Sequence, residues 1–212
     1  MIENIQWLGH GSFLIQGPPV IYIDPWRVVR NTFHPDVILI SHDHYDHCSV
    51  ADVSKLRGSE TIIIGNERVA AQIDETTVLR PWQSITIDDI SIKAIPAYSP
   101  DGTQHPIEHG GLGYVISMNY YDIYFTGDTK IIPDMQRIHP DIIILPIDNN
   151  DTLNIEEAAQ VVEILRPRWV IPSNWGAIGE GTSQIDALQF KKLVGGRAEV
   201  IIPSTKIAND EQ

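Results

Sequence analysis

The seven residues Ser41 to His47, "SHDHYDH", set three histidines and two aspartates directly behind the apolar run "DVILI" at Asp36. That run has the length and β-branched content of a buried strand, which makes the polar stretch a loop at the strand's exit. His42, His44, Asp46 and His47 then carry the spacing H-x-H-x-D-H. Side chains two apart splay from a strand end toward one point, and the adjacent Asp46 and His47 turn toward a second. Imidazole nitrogen and carboxylate oxygen are the donors that divalent zinc, iron or manganese accept. Histidines this dense behind an apolar strand are costly to bury without partners. A metal centre is therefore the expectation.

One loop does not complete two metal sites, so further donors must come from elsewhere in the chain. The remaining histidines are His10, His34, His105, His109 and His139. Asp128, in "YFTGDT", sits just past a strand and behind Gly127, where backbone approaches a ligand closely. Asp24, in "YIDPW", holds a similar strand-exit position. His34 and His139 each precede a proline in a helix-to-strand connection and are read as structural.

The surroundings of the loop predict a layered α/β protein. Strand-like runs recur at Val20, Asp36, Thr61, Ser91, Tyr114, Asp122, Asp141, Trp169 and Glu199. A helix is expected from Asn154 to Leu165, with Asn154 as N-cap, Glu157 completing a capping box and Pro167 forbidding continuation. Others are expected from Ser183 to Val194, from Ser49 to near Gly58, and over Pro133 to Ile138. A faint repeat of proline, strand and polar loop relates Pro35 to His42, Pro140 to Ile147 and Pro167 to Asn174. If those strands lie side by side, His42 and Asn174 face a common site.

At 212 residues and 42% hydrophobic content the chain fits a single domain over 1–212 with a substantial core. No apolar stretch approaches the ~20 residues of a membrane span, and "MIENIQWLGHGSF" lacks the pattern of an export signal. One cysteine, Cys48, is read as a small apolar filler and fits a reducing compartment, so a cytoplasmic location is expected. A formal charge of −13 opposes nucleic-acid binding, which needs clustered Lys and Arg. The expected partner is a small-molecule substrate, not a membrane or a nucleic acid; a homo-oligomer is allowed.

H-x-H-x-D-H followed far downstream by G-D-T resembles the metallo-β-lactamase superfamily. "WLGHGSFLI", "IYIDPW", "SHDHYDHCS", "GGLGYVI", "FTGDT" and "ILRPRWVIPSNWG" look like its branch of metal-dependent hydrolases related to the ascorbate-6-phosphate lactonases. The resemblance covers nearly the whole chain. It implies a four-layer αββα sandwich of two similar halves, with a dinuclear site on the rim. It also implies that His42, His44 and a third histidine bind one metal, that Asp46 and His47 bind a second, and that Asp128 bridges. His105, in "QHPIEHGGLGY", matches the branch's His-Pro better than His109. Asp24 and His10 are expected to support the ligands from behind, as metal-bound imidazoles usually need a partner on the other ring nitrogen.

The chain departs from that pattern in one telling place. The branch reads "IPMHYG" where this sequence reads "IPSNWG", so Asn174 replaces the last histidine of the second metal. An amide oxygen is a weaker donor for zinc than imidazole, which predicts a weakened second site with Asn174 as its ligand. Asp148 is a candidate for a compensating carboxylate or for the wall of the substrate pocket, and Trp175 a candidate for that wall.

The expected activity is hydrolysis of a small lactone, ester, amide or phosphodiester by a metal-bound hydroxide. Asp46 and Asp128 would be the catalytic carboxylates, and the cofactor one or two Zn2+, with Mn2+ or Fe2+ as alternatives. Two competing readings are a metal-binding or sensing module with an impaired second site, and an RNA-processing nuclease. The acidic balance opposes the nuclease. Retention of Asp46, His47 and Asp128 favours the enzyme over the sensor.

Overall fold

The computed structural model describes residues 1–28, 34–176 and 182–203. The apolar runs form two mixed sheets. The first is ordered β1 (Ile5–Gly9), β2 (Ser12–Ile15), β3 (Ile21–Ile23), β4 (Val37–Leu39), β5 (Ile62–Gly65) and β6 (Thr76–Val78). It starts antiparallel and becomes parallel from β3 onward. The second runs from β7 (Ser84–Ile87) through β8 (Ile90–Pro96), β9 (Leu112–Met118), β10 (Tyr121–Phe125), β11 (Ile142–Pro146) and β12 (Trp169–Ser173) to β13 (Glu199–Val200). It too starts antiparallel and becomes parallel, from β10 onward.

Period-two alternation decides which side of each strand meets what. Val37 and Leu39 of β4 face the second sheet in one buried cluster with Phe13, Ile23, Tyr114, Ile123 and Phe125. The Phe13 and Phe125 rings meet edge to face across the two sheets, 6.2 Å between centroids. Ile38 and Ile40 point the other way, onto helices α1 (Val50–Leu56) and α2 (Glu67–Ala70), with Leu14, Tyr22, Val53, Leu56 and Val69. Each of these fully buried aliphatic side chains stabilises the fold by roughly 1.5–3 kcal/mol. Helices α3 (Ile155–Leu165) and α4 (Gln184–Val194) cover the far side of the second sheet through Ala158, Val162, Leu165, Ala187 and Phe190. The order helix, sheet, sheet, helix is the expected sandwich.

The capping box on α3 forms as its sequence predicts: Glu157 N donates to Asn154 Oδ1 and Asn154 N to Glu157 Oε2. The helix begun by Ser49 ends at Leu56, and Pro133–Arg137 is a 3-10 turn. The three proline-to-loop segments do not lie side by side. β11 and β12 are parallel neighbours, whereas β4 belongs to the other sheet. Their loops still reach one rim, because β4 and β11 hold corresponding places, each the first strand parallel to its predecessor.

Candidate metal centre

Seven strand exits converge on that rim; β4 delivers four functional side chains and each of the others one. The turn after β1 carries His10, β3 leads into Asp24, and β4 leads through Ser41 into His42, His44, Asp46 and His47. The loop after β8 carries His105, while β10, β11 and β12 lead into Asp128, Asp148 and Asn174. Asp24 pins the start of the ligand loop: Ser41 N donates to its Oδ1 at 2.7 Å and Ser41 Oγ to its Oδ2 at 2.6 Å. Asp128 comes close to the centre because Gly127 adopts φ +64°, and a Cβ there would lie 2.5 Å from Leu112 O.

Three buried histidines are held by one ring nitrogen each. His47 Nδ1 donates to Asp24 Oδ2 at 2.7 Å. His42 Nδ1 lies 2.9 Å from Ser41 Oγ, whose proton is already given to Asp24, so the imidazole is the donor. His105 Nδ1 donates to Asp151 O at 3.2 Å. Their Nε2 atoms are buried without a hydrogen-bond partner. All three point at Asp128 Oδ2, at 3.5 Å from His47, 3.5 Å from His105 and 4.0 Å from His42. His44 completes the group, its ring 4.5 Å from that of His42 and 4.9 Å from that of His105.

Orphaned imidazole nitrogens converging on a carboxylate fit a divalent cation, because burying them otherwise carries an unrelieved desolvation cost. Donor atoms lie within 4.8 Å of one another in three sets: His42, His44, His105; His42, His47, Asp128; and His10, Asp46, His47. His105, and not His109, is the histidine brought to the cluster. Asp24 stands behind His47, and His10 Nε2 donates to Asp46 Oδ2 at 3.1 Å.

Burial and neighbouring charge shift the titrating groups of the centre in both directions. Burial raises the Asp46 carboxyl, but the His10 bond and the nearby His47 ring outweigh it and hold its pKa down to about 2. Burial lowers the His47 ring, yet Asp128, Asp24 and Asp46 hold it up to about 10. His42, buried and beside His47, is held well below the usual imidazole value. Burial and then Asp128 push Asp148 up to about 7.

Two expectations need correction. Asn174 is at the centre, but its Nδ2 donates to Asp128 Oδ1 at 2.9 Å. A carboxylate only accepts, so the amide nitrogen faces the ligands and the oxygen turns toward Gly11, where a Cβ would lie 3.2 Å from it. As placed, Asn174 steadies Asp128 and does not offer a metal its oxygen. Trp175 does not line the pocket: it is 5% exposed, stacks on Trp7 at 4.4 Å and donates from Nε1 to Pro172 O. The left-handed turn at Asn174 ends the alternation of β12, and the Trp175 ring packs in the core.

A cleft of about 690 Å³ opens over the centre, walled by Tyr45, Gln104, Asp148, Asn149, Asn150 and Thr182 beside the ligand candidates. Sequence reasoning missed Asp151, whose Oδ2 accepts from Gln104 N and His105 N and so carries the His105 loop. Its only signal is the Asn/Asp-rich stretch "DNND". Tyr45, 72% exposed on the cleft's lip, was also missed.

The profile described as "Beta-lactamase superfamily domain" matches residues 4–174. A UPF0173 metal-dependent hydrolase of Thermococcus kodakarensis is 33% identical over 220 residues, covering 94% of this chain and 95% of that protein. One from Pyrococcus horikoshii is 31% identical over 221 residues, with 94% and 95% covered. Among solved structures, a protein of Parabacteroides distasonis described among metal-dependent hydrolases superposes with a TM-score of 0.81 at 26% identity, covering 94% of this chain and 91% of that one.

Proposed function

The chain belongs to the beta-lactamase superfamily and is a metal-dependent hydrolase of the UPF0173 family, and from that premise we propose that it uses zinc to hydrolyse a small cyclic or open ester or amide. The observation that carries the reading is the convergence of three orphaned Nε2 atoms on Asp128 Oδ2. Zinc suits a donor set of four imidazoles, His42, His44, His47 and His105, with two carboxylates, Asp46 and Asp128, better than oxygen-seeking cations do. The motif order that resembles the ascorbate-6-phosphate lactonases supports a cyclic ester.

A divalent cation held there acidifies bound water to near neutral pH and polarises the substrate's carbonyl oxygen. The chain's own residues do the rest. Asp46, kept ionised and steadied by His10, orients the attacking water by accepting its hydrogen bond at the cleft floor. Asn174 fixes Asp128 through Oδ1, leaving Oδ2 for the cation. Asp24 and Ser41 lock the tautomers of His47 and His42 so that both offer Nε2 lone pairs. With an amide nitrogen standing where an imidazole ligand is expected, the position near Asp46 and His47 is the weaker of two. No helix is long and apolar enough to cross a membrane among the described residues. A lone buried cysteine supports a reducing, cytoplasmic setting.

Elemental mass spectrometry on the purified chain, followed by chelation and zinc return, tests the reading. Bound zinc near one equivalent or more, with ester or lactone turnover lost on chelation and regained on return, is expected. A chain that holds only trace metal and gains no thermal stability on adding zinc would sink it.

A further inference from the structure

The walls of the cleft say what kind of substrate the centre accepts, given the hydrolase reading on which this inference rests. Asp43, Asp46, Asp128 and Asp148 all face the cleft, and among the described residues no lysine or arginine lines it. Two cations that touch wall residues are already paired with carboxylates. Arg68 Nε binds Asp43 at 2.9 Å, and Lys130 Nζ binds Glu157 at 2.8 Å, reaching Asn149 Oδ1 only at 3.4 Å. Two ligand carboxylates already offset one divalent ion, so no surplus positive charge is left in the cleft for an anionic substituent. The chain's charge of −13 adds a long-range field of the same sign.

Away from the metal, recognition of a phosphate substituent draws on a guanidinium or ammonium clamp or on an array of backbone amide donors. Neutral groups line the outer cleft instead. Gln104, Asn149, Asn150 and Thr182 offer uncharged donors and acceptors, and the Tyr45 ring offers an exposed apolar face.

We propose that the substrate is a carboxylic ester, lactone or amide whose non-reacting part is uncharged or cationic, and that phosphorylated and other anionic substrates are rejected. In the reaction, the water oxygen forms a new bond to the carbonyl carbon and the carbonyl carbon's bond to the leaving oxygen or nitrogen breaks. One water proton passes to the leaving group, so ester plus water gives acid plus alcohol with no further reactant.

The test uses the zinc-loaded full chain and three γ-lactones that differ only in a side-chain hydroxymethyl, aminomethyl or phosphoryloxymethyl group. The expected kcat/KM for the phosphoryl lactone is at least about tenfold below that of the hydroxymethyl lactone, with the aminomethyl lactone equal to or above it. Placing a cation in the wall by Asn150→Lys narrows the gap. Calorimetric binding of the three matching lactams keeps the charge preference measurable even where no lactone turns over. Absence of turnover with the expected order of lactam affinities would sink the hydrolase reading alone. A phosphoryl lactone or lactam that performs as well as the neutral one, in a chain that turns over or binds the neutral one, would overturn this inference alone.

Discussion

Asp24→Asn separates a metal-orienting role from a purely structural one. The Asp24 carboxylate is fully buried and accepts from Ser41 N, Ser41 Oγ and His47 Nδ1. An asparagine keeps one acceptor for Ser41 N but puts an amide donor where Oδ2 stood. Two donors then face each other at 2.7 Å unless His47 Nδ1 gives up its proton. In the neutral ring that proton moves to Nε2, the atom aimed at Asp128, and the lone pair a metal needs is gone. Loss of such a supporting partner typically weakens metal binding 10- to 100-fold, or about 1.4–2.7 kcal/mol. In chelator the variant also loses the buried partner of a protonated His47. Breaking such a pair costs at least about 3 kcal/mol, or about 6–12 °C in Tm for a chain of this size. Competition against a chromophoric zinc chelator reads the first effect, and thermal melts with excess chelator read the second. A folded Asp24→Asn chain with zinc affinity within twofold of the parent would refute the argument that Asp24 sets the tautomer.

Further outcomes follow from single contacts. Asn174→His restores an imidazole beside Asp128, and elemental analysis should show bound zinc rising from near one to near two equivalents; unchanged stoichiometry would mean that another group already completes the second position. Trp175→Ala removes a core ring stacked on Trp7, so chemical denaturation should show a loss of about 3–5 kcal/mol while KM in the surviving folded fraction stays within about twofold. Cys48 is 3% exposed, and burial with Asp24 and Asp43 nearby pushes its thiol up to about 12, so a maleimide at neutral pH should label it only in denaturant. Asp151→Ala frees the loop that carries His105, and zinc affinity should fall about tenfold with little change in melting temperature in chelator.

Local chemistry explains which parts of this structure are legible in the sequence. The ligand loop is legible because metal donors are rare and dense behind an apolar strand, and the α3 cap because Asn154 and Glu157 act within one turn. β1, β2, β6 and β7 are absent from the expected strands: β6 and β7 are half-solvated edges with little apolar signal, and β2, though buried, is only four residues long behind a Gly-rich turn. Asn174 and Trp175 are misread for a different reason. A motif places a residue at the rim but does not say which way its side chain turns. That depends on Gly11 and Trp7 from the other sheet, contacts with no trace in the local sequence.

Backbone strain is also present at the rim, at five of the twelve described non-glycine residues with positive φ. Among the described residues, His10, Asp24, Asn149, Asp151 and Asn174 are non-glycine residues in left-handed conformation, and all five lie at or beside the centre. Seven more share that conformation: Asp88, Asn119 and Tyr120 in tight hairpins, Arg166 at the C-cap of α3, and Arg27, Glu75 and Trp82 in connecting loops. A left-handed residue costs roughly 1–2 kcal/mol, less for Asp and Asn, and persists where surrounding contacts over-determine it. Here those contacts are the bonds that aim the ligands: Ser41 to Asp24, His105 to Asp151, and Asn174 to Asp128. Relaxing any of these turns would swing a donor out of the cluster. The core between the sheets is rigid enough to hold such strain, since Phe13, Tyr114 and Phe125 fill it directly beneath the strands whose exits bear it. Stability of the sandwich and geometry of the metal centre are thus linked through the strand ends, and a destabilised core should loosen metal binding before it unfolds the chain.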